Sequence, residues 1–271
     1  MLALKLLLVP ALLAMVTLAG RRWGQRVAGW LGSFPIVAGP ILLILTLENG
    51  ASFGAAASER ALAAVAATMG FFVLYARLAP RLSWSVTALV CTACWLVLVA
   101  WLGVLPQTPT AAAAVALAAL LLAPRAMGRE APRATIPAPS PSSASSISAS
   151  SIPASLMPAA PAHGELVARM LAGAALVLFT SGVAADFGPV ASGHASLFPV
   201  VGGTAAVFNH ARQDAGAAVD FLRGTHRGMW SVAVFCGALS LALPRWPVAA
   251  AFGAALAATV TMHALMLPRR R

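Results

Sequence analysis

His194, Lys5 and Arg169 are ionisable side chains inside apolar runs, and they bound the chemistry this 271-residue chain can support. His194 stands one helical turn before Phe198, where an imidazole either carries a coupling proton or serves as a satisfied structural histidine. Lys5 and Arg169 each stand one turn inside an apolar segment. There they either snorkel to the interface or form an anion funnel at each mouth. Cys91-x-x-Cys94 has redox or metal spacing, but it lies within an apolar run, where cysteine behaves as a small hydrophobe. The sequence has no intramembrane carboxylate pair, no metal-spaced histidine cluster and no glycine-rich phosphate loop. It therefore points away from an enzyme and calls for no cofactor or metal.

The other candidate chemistry is in the backbone. Phe34-Pro35-Ile36-Val37-Ala38-Gly39-Pro40 returns as Phe198-Pro199-Val200-Val201-Gly202-Gly203-Thr204. Proline removes a backbone donor and glycine weakens a helix, so each stretch predicts a break or kink. Each lies near the middle of a run long enough to cross a bilayer. Interrupted helices at mid-depth in both halves of a chain are a pointer to a transporter-type binding site. Freed backbone groups there would hold a small polar solute, and Phe34 and Phe198 would line or gate it. The competing reading is a pair of packing kinks.

The elements that must position these residues follow from composition. Hydrophobic residues make up 60% and charged residues 9%, whereas a soluble domain is about 25% charged. The formal charge of +11 comes from basic residues punctuating apolar runs, without aromatic interleaving. It reads as loop charge that orients membrane spans, with no nucleic-acid partner. Nine spans are predicted: 2–20, 27–47, 61–79, 84–105, a short one at 110–123, then 166–185, 190–210, 224–243 and 248–266. A loop with Glu48, Glu59 and Arg60 is expected before the third span. Residues 211–223 begin a helix extension whose Asp220 and Arg223 suit a solvated face. Residues 131–163, dense in Ser, Pro and Ala, read as a disordered linker.

A shift of 164 positions aligns the second half with the first without a gap. Gly24, Gly29, Phe34, Pro35, Val37 and Gly39 fall on Gly188, Gly193, Phe198, Pro199, Val201 and Gly203, and Pro80-Arg81 falls on Pro244-Arg245. The reading is two four-span repeats, 1–105 and 164–271, joined by a linking span in 106–130 and the linker. An odd span between the repeats inverts the second. With nine spans and the N-terminus periplasmic, only Lys5, Arg60 and Arg245 of the 18 basic residues lie outside. Removing the fifth span would move the later ones outward, against the positive-inside rule. The sequence thus predicts an all-α bacterial inner-membrane protein of two inverted repeats, its C-terminus and linker cytoplasmic.

The repeat unit resembles the GlpM family of small four-span bacterial inner-membrane proteins. The resemblance rests on Ala28-Gly29 with Phe34-Pro35, on Ala57-Ser58-Glu59-Arg60, on Lys5, and on Met229-Trp230-Ser231 in the second unit. The second unit departs where Asp220-Phe221-Leu222-Arg223 replaces Ala56 to Glu59. The resemblance implies four-span topology and carries no settled activity. The plan of two units plus a linking span is also similar to that of fused fluoride channels and fused small multidrug transporters.

These readings converge on a small-solute transporter or channel. Its expected site comprises Phe34, Pro35, Gly39, Phe198, Pro199, Gly202, Gly203 and Thr204, with His194, Lys5 and Arg169 as proton or anion contacts. The expected partners are the bilayer and a small solute, and fusion of the repeats suits a monomer. The rival is a non-transporting accessory protein that assists envelope assembly or a partner complex.

Overall fold

The computed structural model describes residues 15, 17–19, 22–35, 38–105, 108–128, 171 and 188–267. The spans expected at 2–20 and 166–185, apart from isolated residues, lie outside them. So do Lys5, Arg169 and the linker at 131–163. The described residues are all-α, with nine helices: α1 Gln25–Gly32, α2 Ala38–Asn49, α3 Ala51–Leu78, α4 Trp84–Val104, α5 Pro109–Ala126, α6 Gly188–Ser196, α7 Val200–Arg212, α8 Ala215–Ala242 and α9 Val248–Leu265.

Two of these, α3 and α8, have 28 residues each and form the centre. The first and last residues of α8 stand 164 positions after those of α3, and α9 starts 164 positions after α4. Alanine, the strongest helix former, fills much of α3, which carries Glu59 and Arg60 inside it. The loop expected at 48–60 therefore shrinks to Gly50. Its φ of 92° is open to glycine and turns the chain straight from α2 into α3. Both long helices stop just before a proline, Pro80 or Pro244, which cannot continue the hydrogen-bond ladder. Asp214 starts α8 by accepting from the Ala217 amide at 2.7 Å.

Five segments are long and apolar enough to cross a membrane: α3, α4, α5, the α6–α7 segment Gly188–Arg212, and α9. The chain is a multi-pass membrane protein on those lengths and compositions. The short fifth span is real as a helix: Thr108 caps it through the Ala111 amide and Pro109 occupies its first turn. It packs on both α3 and α8. Helix α8 falls short of that apolarity because its first half holds Asp220, Arg223, His226 and Arg227, yet it is among the most enclosed helices. Its polar groups are matched inside the protein: His226 Nε2 meets the Leu120 carbonyl at 2.8 Å, and Asp220 pairs with Arg26 at 3.0 Å and Arg223 at 3.5 Å. The solvated face expected at Asp220 and Arg223 is thus a mostly buried ion cluster, each side chain 19% exposed.

The two halves interlock. Helix α1 packs on α8, and α6 packs on α3. A β-carbon at Gly29 would collide with the Phe221 carbonyl oxygen, and one at Gly193 would collide with that of Ala57. Both residues of the second pair sit 164 positions from their counterparts in the first. The relation recurs at Gly39, 3.5 Å from the Phe235 ring by the same measure, and at Gly203, 3.5 Å from the Phe71 ring. Such exchanged contacts are those of a self-complementary interface. The α1–α8 seam is tighter still: Gly224 faces the Arg26 backbone and Gly228 faces Ser33 and the Trp30 carbonyl. These two glycines stand four apart on one face, which lets the helix backbones approach.

Contacts also order the long helices. Gly237 neighbours Leu62, while Gly202 touches both Phe72 and Thr225. Residue numbers rise along α3 as they fall along α8, so the pair is antiparallel. One end of the bundle gathers Arg26, Arg77, Arg125, Arg212 and Arg223, tied by Arg26–Asp220, Arg77 to the Ala126 carbonyl, Arg223 to the Gly128 carbonyl and Gln25–Asn209. The other end holds Arg60, bonded to the Leu105 carbonyl at 3.3 Å, and Arg245.

Candidate functional site

Both Phe-Pro stretches interrupt a helix. The first separates α1 from α2, and the second separates α6 from α7. The reason is the missing donor of Pro35 and Pro199, after which the ladder restarts in the same way on both sides. Gly39 N donates to the Pro35 carbonyl at 2.8 Å, and Gly203 N donates to the Pro199 carbonyl at 2.6 Å. Before each break the chain tightens, with Phe34 N bonded to the Leu31 carbonyl and Phe198 N to that of Ala195. Ser33 Oγ reaches the Trp30 carbonyl and Ser196 Oγ the Gly193 carbonyl, both at 2.7 Å.

Each break is enclosed by the other half of the chain. Around the first, Phe34 stands edge-on to His263 of α9 at 5.3 Å, and Trp30 stacks on the same imidazole at 4.3 Å. The Trp30 indole donates to the His263 carbonyl at 3.2 Å, and Ser231 Oγ meets His263 Nδ1 at 2.9 Å. Around the second, Phe198 stands edge-on to Trp95 of α4 at 4.8 Å. Thr68 Oγ1 donates to the Leu197 carbonyl at 2.9 Å, and the Trp95 indole donates to Thr68 at 3.4 Å. Thr68, Ser231 and His263 are buried polar side chains, and they concentrate beside the breaks.

The expected residues fall as follows. Phe34 and Phe198 are half-buried, Pro35 and Pro199 are buried, and all four stand at the breaks. Gly39 and Gly203 face Phe235 and Phe71. A phenyl ring therefore fills the space that each of these glycines opens. Gly202 meets the Phe72 ring, and Thr204 is half-buried on α7. His194 is 6% exposed, and its Nε2 has no hydrogen-bond partner. It lies on α6 against Gly103 of α4, next to Gly193, whose neighbour is the Arg60 stem. A buried unmatched polar atom costs about 1–3 kcal/mol, so among the described residues this nitrogen is the one left for a partner from outside the chain. Its counterpart Trp30 is satisfied twice over, by a hydrogen bond and by stacking.

Thr68, Trp95, Ser231 and His263 stand beside the breaks; the sequence pointed to Ser231 only within Met229-Trp230-Ser231, and to the other three not at all. The shift of 164 hides them, because it sets Thr68 against Val232, Trp95 against Thr259, Ser231 against Ala67 and His263 against Val99. Cys91 and Cys236 are buried and all three cysteines are free; among the described residues no group of His, Cys, Asp or Glu is placed to hold a metal. No family model, no curated protein and no solved structure matches the chain.

Proposed function

We propose that the chain is a small-solute transporter or channel of a bacterial inner membrane, built from two inverted four-span repeats of the GlpM type. The observation that carries this reading is the pair of equivalent helix breaks, each wrapped by polar and aromatic side chains of the opposite half. Interrupted helices in inverted repeats supply backbone groups and half-helix ends to a solute at mid-depth. The exchanged contacts Gly29–Phe221 and Gly193–Ala57 support a two-fold relation. The antiparallel course of α3 and α8 supports an axis in the membrane plane. Gathering of arginines at one end supports a cytoplasmic assignment for that end, with the N-terminus periplasmic and the C-terminus cytoplasmic.

In this reading Phe34 and Phe198 line the path and His194 Nε2 contacts the solute or a coupling proton. The second reading is an accessory protein without transport. One observation favours it: apart from His194 Nε2, the hydroxyls and indoles beside the breaks are matched within the chain. Cysteines at Phe34 and Phe198, in a chain whose Cys91, Cys94 and Cys236 are replaced by alanine, separate the two. Transport requires both to react with a small charged methanethiosulfonate in native membranes. Protection of both, with full reaction of a cysteine at exposed Arg245, would leave the accessory reading.

A further inference from the structure

We propose that the tips of α3 and α5 hold the headgroup of an anionic phospholipid, with its acyl chains along α5. Arg77 and Arg81 at the end of α3 and Arg125 at the end of α5 are exposed. Arg77 Nε donates to the Ala126 carbonyl, which fixes its guanidinium against the last turn of α5. Arg81 donates to the Arg77 carbonyl at 2.8 Å, and Arg125 to the Leu121 carbonyl at 3.2 Å. These bonds satisfy helix-end carbonyls and orient three forks, each of which keeps further N–H donors.

Three guanidiniums at one tip repel unless an anion stands among them, and the described residues at this end have none to spare. Of the acids described there, Asp214 caps α8, and Asp220 is taken by Arg26 and Arg223. None of the three arginines has a carboxylate partner among the described residues. A counter-charge from outside the chain would meet that need.

What adjoins the charges is apolar. Leu117, Leu121 and Arg125 recur every fourth residue and share one face of α5. Leu117 is 47% and Leu121 50% exposed. An apolar stripe that ends in guanidiniums has the polarity profile of a phospholipid, chain below and phosphate above. Trp84, at the same end, is also exposed and suits the interface. Among the described residues the opposite end has no equivalent cluster: the shift of 164 sets Leu241 where Arg77 stands, and Arg245 shares that end only with Arg60.

Native mass spectrometry of the full chain from micelles holding equal phosphatidylglycerol and phosphatidylethanolamine tests this. Phosphatidylglycerol should be retained in preference, and the combined change Arg77→Gln, Arg81→Gln, Arg125→Gln should reduce that retention at least roughly tenfold. The change Arg60→Gln with Arg245→Gln should leave it unaltered. If the triple variant loses helicity by circular dichroism, Arg81→Gln and Arg125→Gln alone should each lower retention. Equal retention of both lipids by the unaltered chain, or unchanged retention in the folded variants, would overturn the proposal and leave the arginines as helix caps only.

Discussion

Gly29 lies so close to Phe221 that a β-carbon would strike its carbonyl oxygen. The contact belongs to backbone, which cannot rotate away as a side chain would. Because Gly193 stands in the same relation to Ala57, the seams α1–α8 and α6–α3 depend on the same missing methyl. Gly29→Ala and Gly193→Ala should each destabilise the protein by the upper part of the overpacking range, about 1–3 kcal/mol. Gly253→Ala, which meets nothing within 4 Å, should not. Chemical denaturation in detergent, followed by helix content, checks this.

The Arg26–Asp220–Arg223 cluster ties α1 to α8 with side chains that are mostly buried. Asp220→Ala removes the carboxylate that two guanidiniums share. It should lower stability by more than the roughly 0–1 kcal/mol of an exposed pair, toward the 3–5 kcal/mol of a buried one. Arg26→Met with Asp220→Leu should recover part of that loss. Thermal unfolding of the unaltered protein, Arg26→Met, Asp220→Leu and their combination measures the coupling in a double-mutant cycle, and a coupling near zero would make the cluster a surface feature.

Thr68 is the side chain that matches the Leu197 carbonyl, immediately before the second break. Thr68→Val keeps the shape and removes the donor, so it should cost about 1–3 kcal/mol. Its place on α3 makes the loss local to the second break: hydrogen exchange should rise around Phe198 and stay unchanged around Phe34. Equal change at both would mean the two breaks are coupled through the core.

Much of this architecture is legible in the sequence, for identifiable reasons. Pro35, Pro199, Pro80 and Pro244 act through their own covalent structure, so breaks and helix ends could be read directly. The shift of 164 marked the matching ends of α3 and α8 at Pro80 and Pro244, but not their equal lengths, because a loop was expected before the span at 61–79 and a helix extension only before the one at 224–243. Other features arise only between helices distant in sequence. Gly50 looked like part of a loop, because its positive φ, which lets α3 begin ten residues earlier, is a property of the turn. Asp220 looked solvated because its partner Arg26 lies almost two hundred residues away. His263 and Ser231 gain their roles from Trp30 and Phe34, and the repeat offers no counterpart that would have marked them. The nine-span count goes beyond the five qualifying segments, since α8 carries too much polarity, the span at 27–47 is split into the short helices α1 and α2, and two spans lie outside the described residues.

His194 gives a prediction with a sign. Its unmatched Nε2 is a cost to the fold in the absence of a ligand, so His194→Phe should leave stability unchanged or raise it, by up to about 1–3 kcal/mol. The same change should abolish any pH-dependent flux in proteoliposomes. A structural histidine would behave the other way, with stability lost on substitution.

The inversion of the two halves is the claim on which the rest depends, and the paired turns test it most directly. Arg81 and Arg245 are exposed and stand 164 positions apart, each just after the proline that ends a long helix. Arg81→Cys and Arg245→Cys, in a chain otherwise without cysteine, can be treated in intact cells with a membrane-impermeant maleimide. The inverted pair predicts rapid labelling at position 245 and labelling at position 81 only after the membrane is permeabilised. Labelling of both from the same side would contradict it.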